Sequence, residues 1–179
     1  MPMNTGNEIV IREAIPLDVE ELARLRWDSR VEDQSGHSRA EFLRDCEAWL
    51  REALASGSWV MAVAECRPNS LCGCMFLQCV AKVPAPGAKK RAWGYVTNAF
   101  VDSQQRGQGV GQKLLHRLIE VAQGRRLEFL IVWPSEAAVA FYRRAGFQVV
   151  SKVHVGPDDE PPLELTLSVT VGAESSGTA

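Results

Sequence analysis

Apolar and polar residues follow two different periods along this chain, and the period changes from one segment to the next. Strand-length runs that alternate or are continuously apolar occupy residues 8–14, 58–65, 71–81, 91–102, 127–132, 147–155 and 163–171. Helical spacing of apolar residues marks four other segments, which are 16–27, 38–57, 110–124 and 135–146. The resulting order, β-α-α-β-β-β-α-β-α-β-β, predicts an α/β fold with one sheet of mixed direction covered by helices.

Local signals define several ends of these segments. Ser38 is followed three residues later by Glu41, which predicts a capping box at the start of the second helix, and Gly57 can end that helix. Gly146 stands where the last helix needs a C-terminal cap. A polar hairpin, "GPDDEPP", precedes the final strand, and we expect residues 172–179 to form a disordered tail after a single domain spanning 1–171.

Composition narrows the class of protein. The chain has 179 residues, 46% hydrophobic and 23% charged, which is typical of one soluble globular domain. Neither a secretory signal nor an apolar run long enough for a membrane span is visible, so we expect a cytoplasmic protein that does not engage a membrane.

Cysteine usage predicts free thiols and no metal. The number of cysteines is five, which is odd, and no Cys-x-x-Cys pair occurs among them. The three histidines are scattered along the chain, so they do not complete a metal-binding pattern with the cysteines.

Charge is unevenly distributed along the chain. Residues 17–54 carry ten acidic and six basic side chains, whereas residues 80–152 carry twelve basic and four acidic ones. The middle of the chain is therefore expected to meet an anion, while the N-terminal helices could face something cationic. Nucleic acid is a weaker alternative, because the basic residues form no run and are not interleaved with aromatic residues.

The stretch "FVDSQQRGQGVGQKLLHRLIEVAQG" (100–124) places three glycines, Gly107, Gly109 and Gly111, at the entrance of an amphipathic helix. The first N–H groups of a helix have no internal partner, and the helix dipole is positive there. Bare glycine backbone lets an anion approach these groups, and Arg106 adds a fixed positive charge. The stretch therefore predicts a phosphate cradle, the alternative being a glycine-rich turn without a ligand. It is neither a Walker loop nor a dinucleotide fingerprint, because the Lys and Gly spacings differ.

Two motifs carry a resemblance to a known family. "RGQGVG" (106–111) matches Arg/Gln-x-x-Gly-x-Gly/Ala, and "FYRRAGF" (141–147) matches a short helix ending in aromatic-Tyr-x-x-x-Gly-Phe. In these motifs and their order, the chain resembles the GNAT superfamily of acetyl-coenzyme-A-dependent N-acetyltransferases over residues 8–171. The resemblance implies a mixed, mostly antiparallel central sheet.

The resemblance also implies where the acyl donor, acetyl-coenzyme A, binds. The sheet would open between the strands at 91–102 and 127–132, and coenzyme A would lie in that opening. Backbone near the end of the first strand would hold the pantetheine and polarise the thioester carbonyl, while N–H groups of residues 108–112 would grip the diphosphate. The implied cofactor-binding residues are Ala99, Phe100, Val101, Arg106, Gly107, Gln108, Gly109, Val110, Gly111, Gln112 and, more weakly, Ser135.

For catalysis, Tyr142 resembles the family's general acid, which returns a proton to the departing thiolate; the alternative is that its ring only packs against the sheet. This chain has Thr97 and Asn98 where many members carry a glutamate base. A water held by Asn98 or Thr97 would then accept the proton, or an acid from elsewhere would do so. The other candidates are Asp28, Glu32, Asp33 and His37. Residues that could shape an acceptor pocket are Trp27, Trp59, Trp93 and Trp133.

The implied function is transfer of an acetyl group to a primary amine of a small molecule or peptide, by direct attack in a ternary complex. The alternative is a catalytically idle acetyl-coenzyme A-binding or regulatory module, which the missing glutamate allows. A homodimer is expected by analogy only. The identity of the acceptor amine does not follow from the sequence, because acceptor pockets in such folds come from variable helices and loops.

Overall fold

The computed structural model describes residues 8–84, 86, 91–150 and 162–167. The helices and strands follow the predicted order, and short 3-10 turns occupy Pro16–Asp18, Val31–Asp33 and Ser103–Gln105. The elements are β1 (Val10–Glu13), α1 (Val19–Asp28), α2 (Arg39–Ser56), β2 (Trp59–Arg67), β3 (Ser70–Ala81), β4 (Ala92–Val101), α3 (Val110–Gly124), β5 (Phe129–Val132), α4 (Glu136–Arg144), β6 (Gln148–Val149) and β7 (Leu163–Thr166).

The strands form one seven-stranded sheet in the order β1-β2-β3-β4-β5-β7-β6. Every neighbouring pair is antiparallel except β4 and β5, which run parallel. The prediction of a mixed, mostly antiparallel sheet is therefore confirmed, and the single parallel junction lies in its middle.

Helices cover both faces of this sheet. Successive side chains of the long strands point to opposite faces, so these strands contribute to two separate cores. On one face, Leu114, Leu115 and Leu118 of α3 pack over β2, β3 and β4 together with residues from α4. On the other face, Leu22 and Leu25 of α1 pack with α2 against the opposite side of β2 and β3. Each of these fully buried leucines contributes about 1.5–3 kcal/mol of transfer free energy.

The parallel junction between β4 and β5 is short. Its register pairs only Gly94, Tyr95 and Val96 with β5, so β4 has no partner on that side from Thr97 onward among the described residues. A Cβ on Gly94 would lie 2.5 Å from a Leu130 methyl carbon and 2.6 Å from one of Leu77, so glycine lets the core close where the strands touch. The two strands are joined at one end and separate at the other, as the resemblance implies.

A β-bulge interrupts β4 where the strands separate. Thr97 pairs with Phe76 and Phe100 pairs with Cys74, so Asn98 and Ala99 together oppose one residue of β3. Asn98 has a φ of 50°, a left-handed conformation that asparagine adopts more readily than most residues. The bulge turns both Thr97 and Asn98 toward the cavity under α1 and α2.

The predicted helix ends agree with the structure in most respects. Gly57 and Gly146 follow α2 and α4 with φ values of 68° and 93°. At the start of α2, the Ser38 hydroxyl accepts from the Glu41 backbone N–H at 3.4 Å. The reciprocal bond, in which the Ser38 backbone N–H donates to the Glu41 carboxylate, is not formed among the described residues, so only half of the predicted capping box is present.

Four predictions fall partly or wholly outside the described residues. The strand at 147–155 is described only at Gln148–Val149, and the strand at 163–171 only as far as residue 167. The hairpin before the last strand, apart from its final residue, and the tail at 172–179 also lie outside them. Among the helices that the structure describes, none has the length and apolar character needed to cross a membrane.

Candidate active site

The turn between β4 and α3 carries six unpartnered backbone amides, and we call residues 107–112 the amide turn. No backbone N–H of the amide turn donates to any acceptor among the described residues. The turn leads directly into α3, whose dipole adds partial positive charge at the same place. Six free donors at a helix entrance are an arrangement that suits an anion.

Two glycines produce the shape of the amide turn. Gly107 and Gly109 both have a φ of 76°, in the left-handed region that costs other L-residues about 1–2 kcal/mol. The third glycine has a different role, because a Cβ on Gly111 would have ordinary contact with Phe141 at 3.6 Å. Gly111 therefore leaves the surface bare without being required by backbone conformation.

Side chains fasten this turn to the strand before it. Arg106 donates from Nε to the Val101 carbonyl at 2.9 Å, and Gln108 donates from its amide to the Gln104 carbonyl at 3.0 Å. The predicted cationic residue Arg106 thus holds the loop in place as well as adding charge. The Val101 carbonyl is used by this bond, whereas Ala99 is exposed on the unpaired edge of β4.

A basic groove of about 680 Å³ begins at Gly109 and runs between α3 and β1. Arg117 on its wall is paired with Glu13 at 2.8 Å. Lys113, one turn into α3, is exposed and has no carboxylate within 4.0 Å among the described residues. The groove therefore offers one unpaired cation next to the amide turn.

Tyr142 lies in α4 with only 3% of its surface exposed. Its ring packs edge-on between Phe141 and Phe147, with centroids 4.9 and 5.5 Å away. Burial, with a smaller contribution from Tyr95, raises the pKa of Tyr142 to about 12. Its hydroxyl has no hydrogen-bond partner among the described residues.

Ser135 lies at the N-cap position of α4, just beyond the end of β5. It is exposed, and its hydroxyl makes no capping hydrogen bond. The side chain is therefore available at the edge of the opening between β4 and β5.

A cavity of about 420 Å³ lies on the opposite face, under α1 and α2, and we call it the aromatic pocket. It has five aromatic walls, and Trp49 and Trp59 meet edge to face with centroids 5.0 Å apart. Thr97 and Asn98, at the bulge of β4, line it from the sheet. Its lining residues are Arg26, Phe42, Asp45, Cys46, Trp49, Leu50, Trp59, Phe76, Tyr95, Thr97 and Asn98.

The Asn98 side chain is engaged by its neighbours. Its Oδ1 accepts from Arg26 Nη1 at 2.7 Å, and its Nδ2 donates to the Cys74 sulfur at 3.7 Å. Arg26 itself has no carboxylate within 4.0 Å among the described residues, and that contact with Asn98 is its only side-chain hydrogen bond there. Burial, followed by the repulsion of Arg30, lowers the pKa of Arg26.

None of the four alternative bases lines the aromatic pocket. Asp28 is paired with Arg24 at 2.9 Å, and Asp33 is paired with Arg30 at 3.4 Å. His37 and Asp33 line a neighbouring cavity of about 450 Å³, and Glu32 is exposed. Thr97 and Asn98 line the pocket, but these three acids and His37 do not.

Of the four tryptophans considered for an acceptor pocket, only Trp59 lines the aromatic pocket. Trp27 lines the neighbouring cavity, Trp93 stacks on Phe129 at 5.7 Å, and Trp133 packs edge-on against Tyr95. Trp49, which also lines the pocket, was not among those four, because its helical spacing in the segment 38–57 is that of a core residue. Sequence reasoning also missed Arg26, for which no signal exists in the sequence.

Most acidic residues of the N-terminal helices form ion pairs with arginines of the same chain. Asp18 pairs with Arg12 at 2.7 Å, and Glu21 pairs with Arg24 at 3.0 Å. The net negative charge of this region is therefore not a property of the aromatic pocket. The half-buried charged group of that pocket is the cation Arg26.

Within the described residues, no group of three or more His, Cys, Asp or Glu side chains is arranged to hold a metal ion. The five cysteines, all of which the structure describes, form no disulfide with one another.

Comparison with known proteins identifies the fold family. Residues 56–149 match the family described as "Acetyltransferase (GNAT) domain", which is more than half of the 179 residues. The chain belongs to the GNAT acetyltransferase family. The resemblance stated from the two sequence motifs is thereby confirmed, and both the amide turn and Tyr142 lie inside the matched range.

Three individual relatives are 21–35% identical to this chain over the parts that align. Glucosamine 6-phosphate N-acetyltransferase 1 of Oryza sativa subsp. japonica is 35% identical over 63 residues, covering 35% of this chain and 38% of that protein. A GCN5-related N-acetyltransferase from Ralstonia eutropha JMP134 is 25% identical with a TM-score of 0.64, covering 83% of this chain and 97% of that one. An acetyltransferase of Clostridium acetobutylicum solved with acetyl-CoA is 21% identical with a TM-score of 0.66, covering 83% and 96%.

Proposed function

We propose that this protein transfers the acetyl group of acetyl-coenzyme A to a primary amine held in the aromatic pocket. The observation that carries the proposal is the amide turn, with six unpartnered N–H groups beside an unpaired strand edge. A site of that shape suits a diphosphate continued by an extended chain that itself has amide groups.

The residues present fit coenzyme A in charge and in hydrogen bonding. Backbone N–H groups of Gly107 to Gln112 would hold the diphosphate, and Lys113 would add an unpaired positive charge nearby. The unpaired edge of β4 around Ala99 and Phe100 would hold the pantetheine, while the exposed Ser135 hydroxyl borders the same opening. Acetyl-coenzyme A supplies an activated thioester to this site.

The reaction balances without any further reactant. The amine nitrogen forms a bond to the acetyl carbon, the carbon–sulfur bond breaks, and the sulfur leaves with the electron pair and takes up a proton. A protonated amine therefore yields an amide, a free thiol and one proton released to solvent. We infer direct attack in a ternary complex, because Thr97 and Asn98, which line the aromatic pocket, lie where β4 ceases to pair with β5.

In this proposal, backbone N–H groups at the β4 bulge stabilise the negative charge that develops on the carbonyl oxygen. Tyr142 would give its proton to the leaving sulfur. Because its pKa is raised to about 12, the hydroxyl stays protonated at neutral pH and is ready to donate.

Removal of the ammonium proton would use water rather than an acidic side chain. Of the titratable residues lining the aromatic pocket, the Asp45 side chain is 81% exposed, and burial raises the pKa of the Cys46 thiol so that it holds its own proton. Thr97 and the second lone pair of the Asn98 carbonyl oxygen remain as groups that could position that water.

The proposal is tested by mixing the full chain with acetyl-coenzyme A and a broad panel of primary amines. Free thiol is measured with a chromogenic disulfide, and acetylated product by mass spectrometry. We expect thiol and acetylated amine to form in equal amounts. Tight binding of acetyl-coenzyme A without thiol release for any amine would contradict the proposal and favour an idle binding module.

A further inference from the structure

The aromatic pocket contains a half-buried guanidinium that forms no ion pair among the described residues, although the exposed Asp45 also lines the pocket. Arg26 is half-buried among aromatic walls and has no carboxylate within 4.0 Å among the described residues. One of its N–H groups donates to the Asn98 side chain. A guanidinium has five N–H donors and keeps its charge at all physiological pH values. Buried charges in proteins are normally paired, so an unpaired one at a binding site favours a ligand that brings the opposite charge.

From this arrangement we propose that the acceptor is a free α-amino acid with an aromatic side chain, whose carboxylate binds Arg26. This inference rests on the proposed function, because it names the amine that the acetyl group would reach. The aromatic side chain would occupy the walls formed by Phe42, Trp49 and Trp59, where stacked and edge-on rings pack favourably.

The position of Arg26 relative to β4 points to an α-amino acid in particular. Its Nη1 lies 2.7 Å from the Asn98 oxygen, and Asn98 forms the bulge beside which the thioester would lie. In an α-amino acid, the nitrogen and the carboxylate carbon are joined through one carbon and lie about 2.5 Å apart. A carboxylate bound at Arg26 therefore brings the amine to the bulge.

The same charge disfavours two other classes of acceptor. An aromatic amine without a carboxylate would place its ammonium beside an unpaired guanidinium, and two like charges in a half-buried site repel each other. A sugar phosphate would satisfy the cation, but its hydroxyl groups would be buried against aromatic walls. Few polar groups line that pocket, and the Asn98 amide is already bonded to Arg26 and Cys74.

The test compares matched acceptors with the full-length protein and acetyl-coenzyme A. The panel contains L-phenylalanine and L-tryptophan, their decarboxylated amines 2-phenylethylamine and tryptamine, and glucosamine 6-phosphate. We expect kcat/KM for each amino acid to exceed that of its decarboxylated amine by about 10-fold or more, which is the size of one hydrogen bond to a charged group. Preference for the decarboxylated amines or for the sugar phosphate would overturn the inference while leaving the proposed function in place.

A variant pair then assigns the preference to one side chain. Arg26→Gln should lower the ratio of kcat/KM between tryptophan and tryptamine by about 10-fold, mainly through KM for tryptophan. Arg30→Gln is the matched control, because Arg30 is exposed, lies four residues away and does not line the aromatic pocket. It should leave the ratio unchanged. Partial misfolding of Arg26→Gln would lower activity on both acceptors but leave the ratio of their kcat/KM values unchanged. An unchanged ratio in the variant would therefore overturn the inference, because the folded fraction would show the same preference as the wild type.

Failure of the chemistry is separated from failure of recognition by calorimetry. If no acceptor releases thiol, L-tryptophan is titrated into protein saturated with coenzyme A. Binding that is present in the wild type and weakened about 10-fold in Arg26→Gln would support recognition of the amino acid and reject transfer. Absence of binding would reject the inference as well.

Discussion

The amide turn and the aromatic pocket are two candidate binding surfaces, and they are built from different parts of the chain. The amide turn consists of consecutive residues and uses main-chain N–H groups as its donors. The aromatic pocket draws side chains from α1, α2, β2, β3 and β4, which lie far apart in sequence. One surface is made of backbone and the other of side chains.

This difference separates what is general in the site from what is specific. Backbone donors recognise a diphosphate whatever the neighbouring side chains are, so a turn of this kind suits every member that uses the same acyl donor. A pocket of side chains changes its preference with each substitution, so it suits one class of acceptor. Substitutions in one surface should therefore leave the other unaffected.

The largest effect is expected at a residue that belongs to neither binding surface. Tyr142→Phe keeps the ring between Phe141 and Phe147 but removes the proposed proton donor, so kcat should fall about 100-fold. Affinity for coenzyme A and the KM for the acceptor should change little, because both surfaces remain intact. Steady-state kinetics and calorimetry measure these values, and an unchanged kcat would restrict Tyr142 to a packing role.

The second effect addresses the amide turn alone. Gly109→Ala places a Cβ on a residue with a φ of 76°, which costs about 1–2 kcal/mol and should weaken coenzyme A binding about 10-fold. Gly124→Ala is the matched control, since that glycine ends the same helix without a left-handed φ and with no atom within 4 Å of the added carbon. Calorimetric titration should separate the two variants, and equal affinities would argue against the conformational role of Gly109.

The third effect is expected at the aromatic pocket and not at the amide turn. Trp49→Ala removes one wall of the aromatic pocket, so the KM for an aromatic acceptor should rise about 5- to 10-fold, as expected for the loss of an aromatic pair. Its affinity for coenzyme A should match that of the wild type. Leu17→Ala serves as control because Leu17 is 83% exposed and lies outside the pocket. A loss of coenzyme A affinity in Trp49→Ala would show that the two surfaces are not separate.

The smallest expected effect is an absence of change with pH. Burial raises the pKa of Tyr142 to about 12, and the protonated form is the donor, so donation is retained at every pH below that value. An ordinary phenol would be half ionised near pH 10 and would lose about half its donating capacity there. The ratio of kcat between the wild type and Tyr142→Phe should therefore be the same at pH 10 as at pH 8, because ionisation of the acceptor amine affects both proteins alike. A twofold fall that is absent in Tyr142→Phe would contradict the raised pKa.

The backbone-built surface could be predicted from the sequence, and the reason is physical. Spaced glycines before an amphipathic helix restrict the turn to a few conformations, and two of them do adopt the left-handed φ that favours glycine. The element order was also predictable, because the apolar residues recur with a period of two in "LELT" and of about 3.6 in "VGQKLLHRLIEVAQG".

The side-chain-built surface could not be predicted in the same way. Trp49 has the spacing of a core residue in α2, yet it is 43% exposed and lines the pocket. Arg26 reads as an ordinary surface cation, and its isolation from carboxylates depends on how α1 packs over the bulge. Such contacts are set by tertiary packing between distant segments, which a local period does not contain.

The central claim, that the free amides of the amide turn receive the acyl carrier, is tested most directly by nuclear magnetic resonance. The backbone amides of ¹⁵N-labelled protein are followed while coenzyme A is added. The largest shifts should fall on residues 107–112, with smaller ones on Ala99 to Val101 and little change at Trp49. Saturable shifts confined to the aromatic pocket, or no shifts at all, would contradict the account.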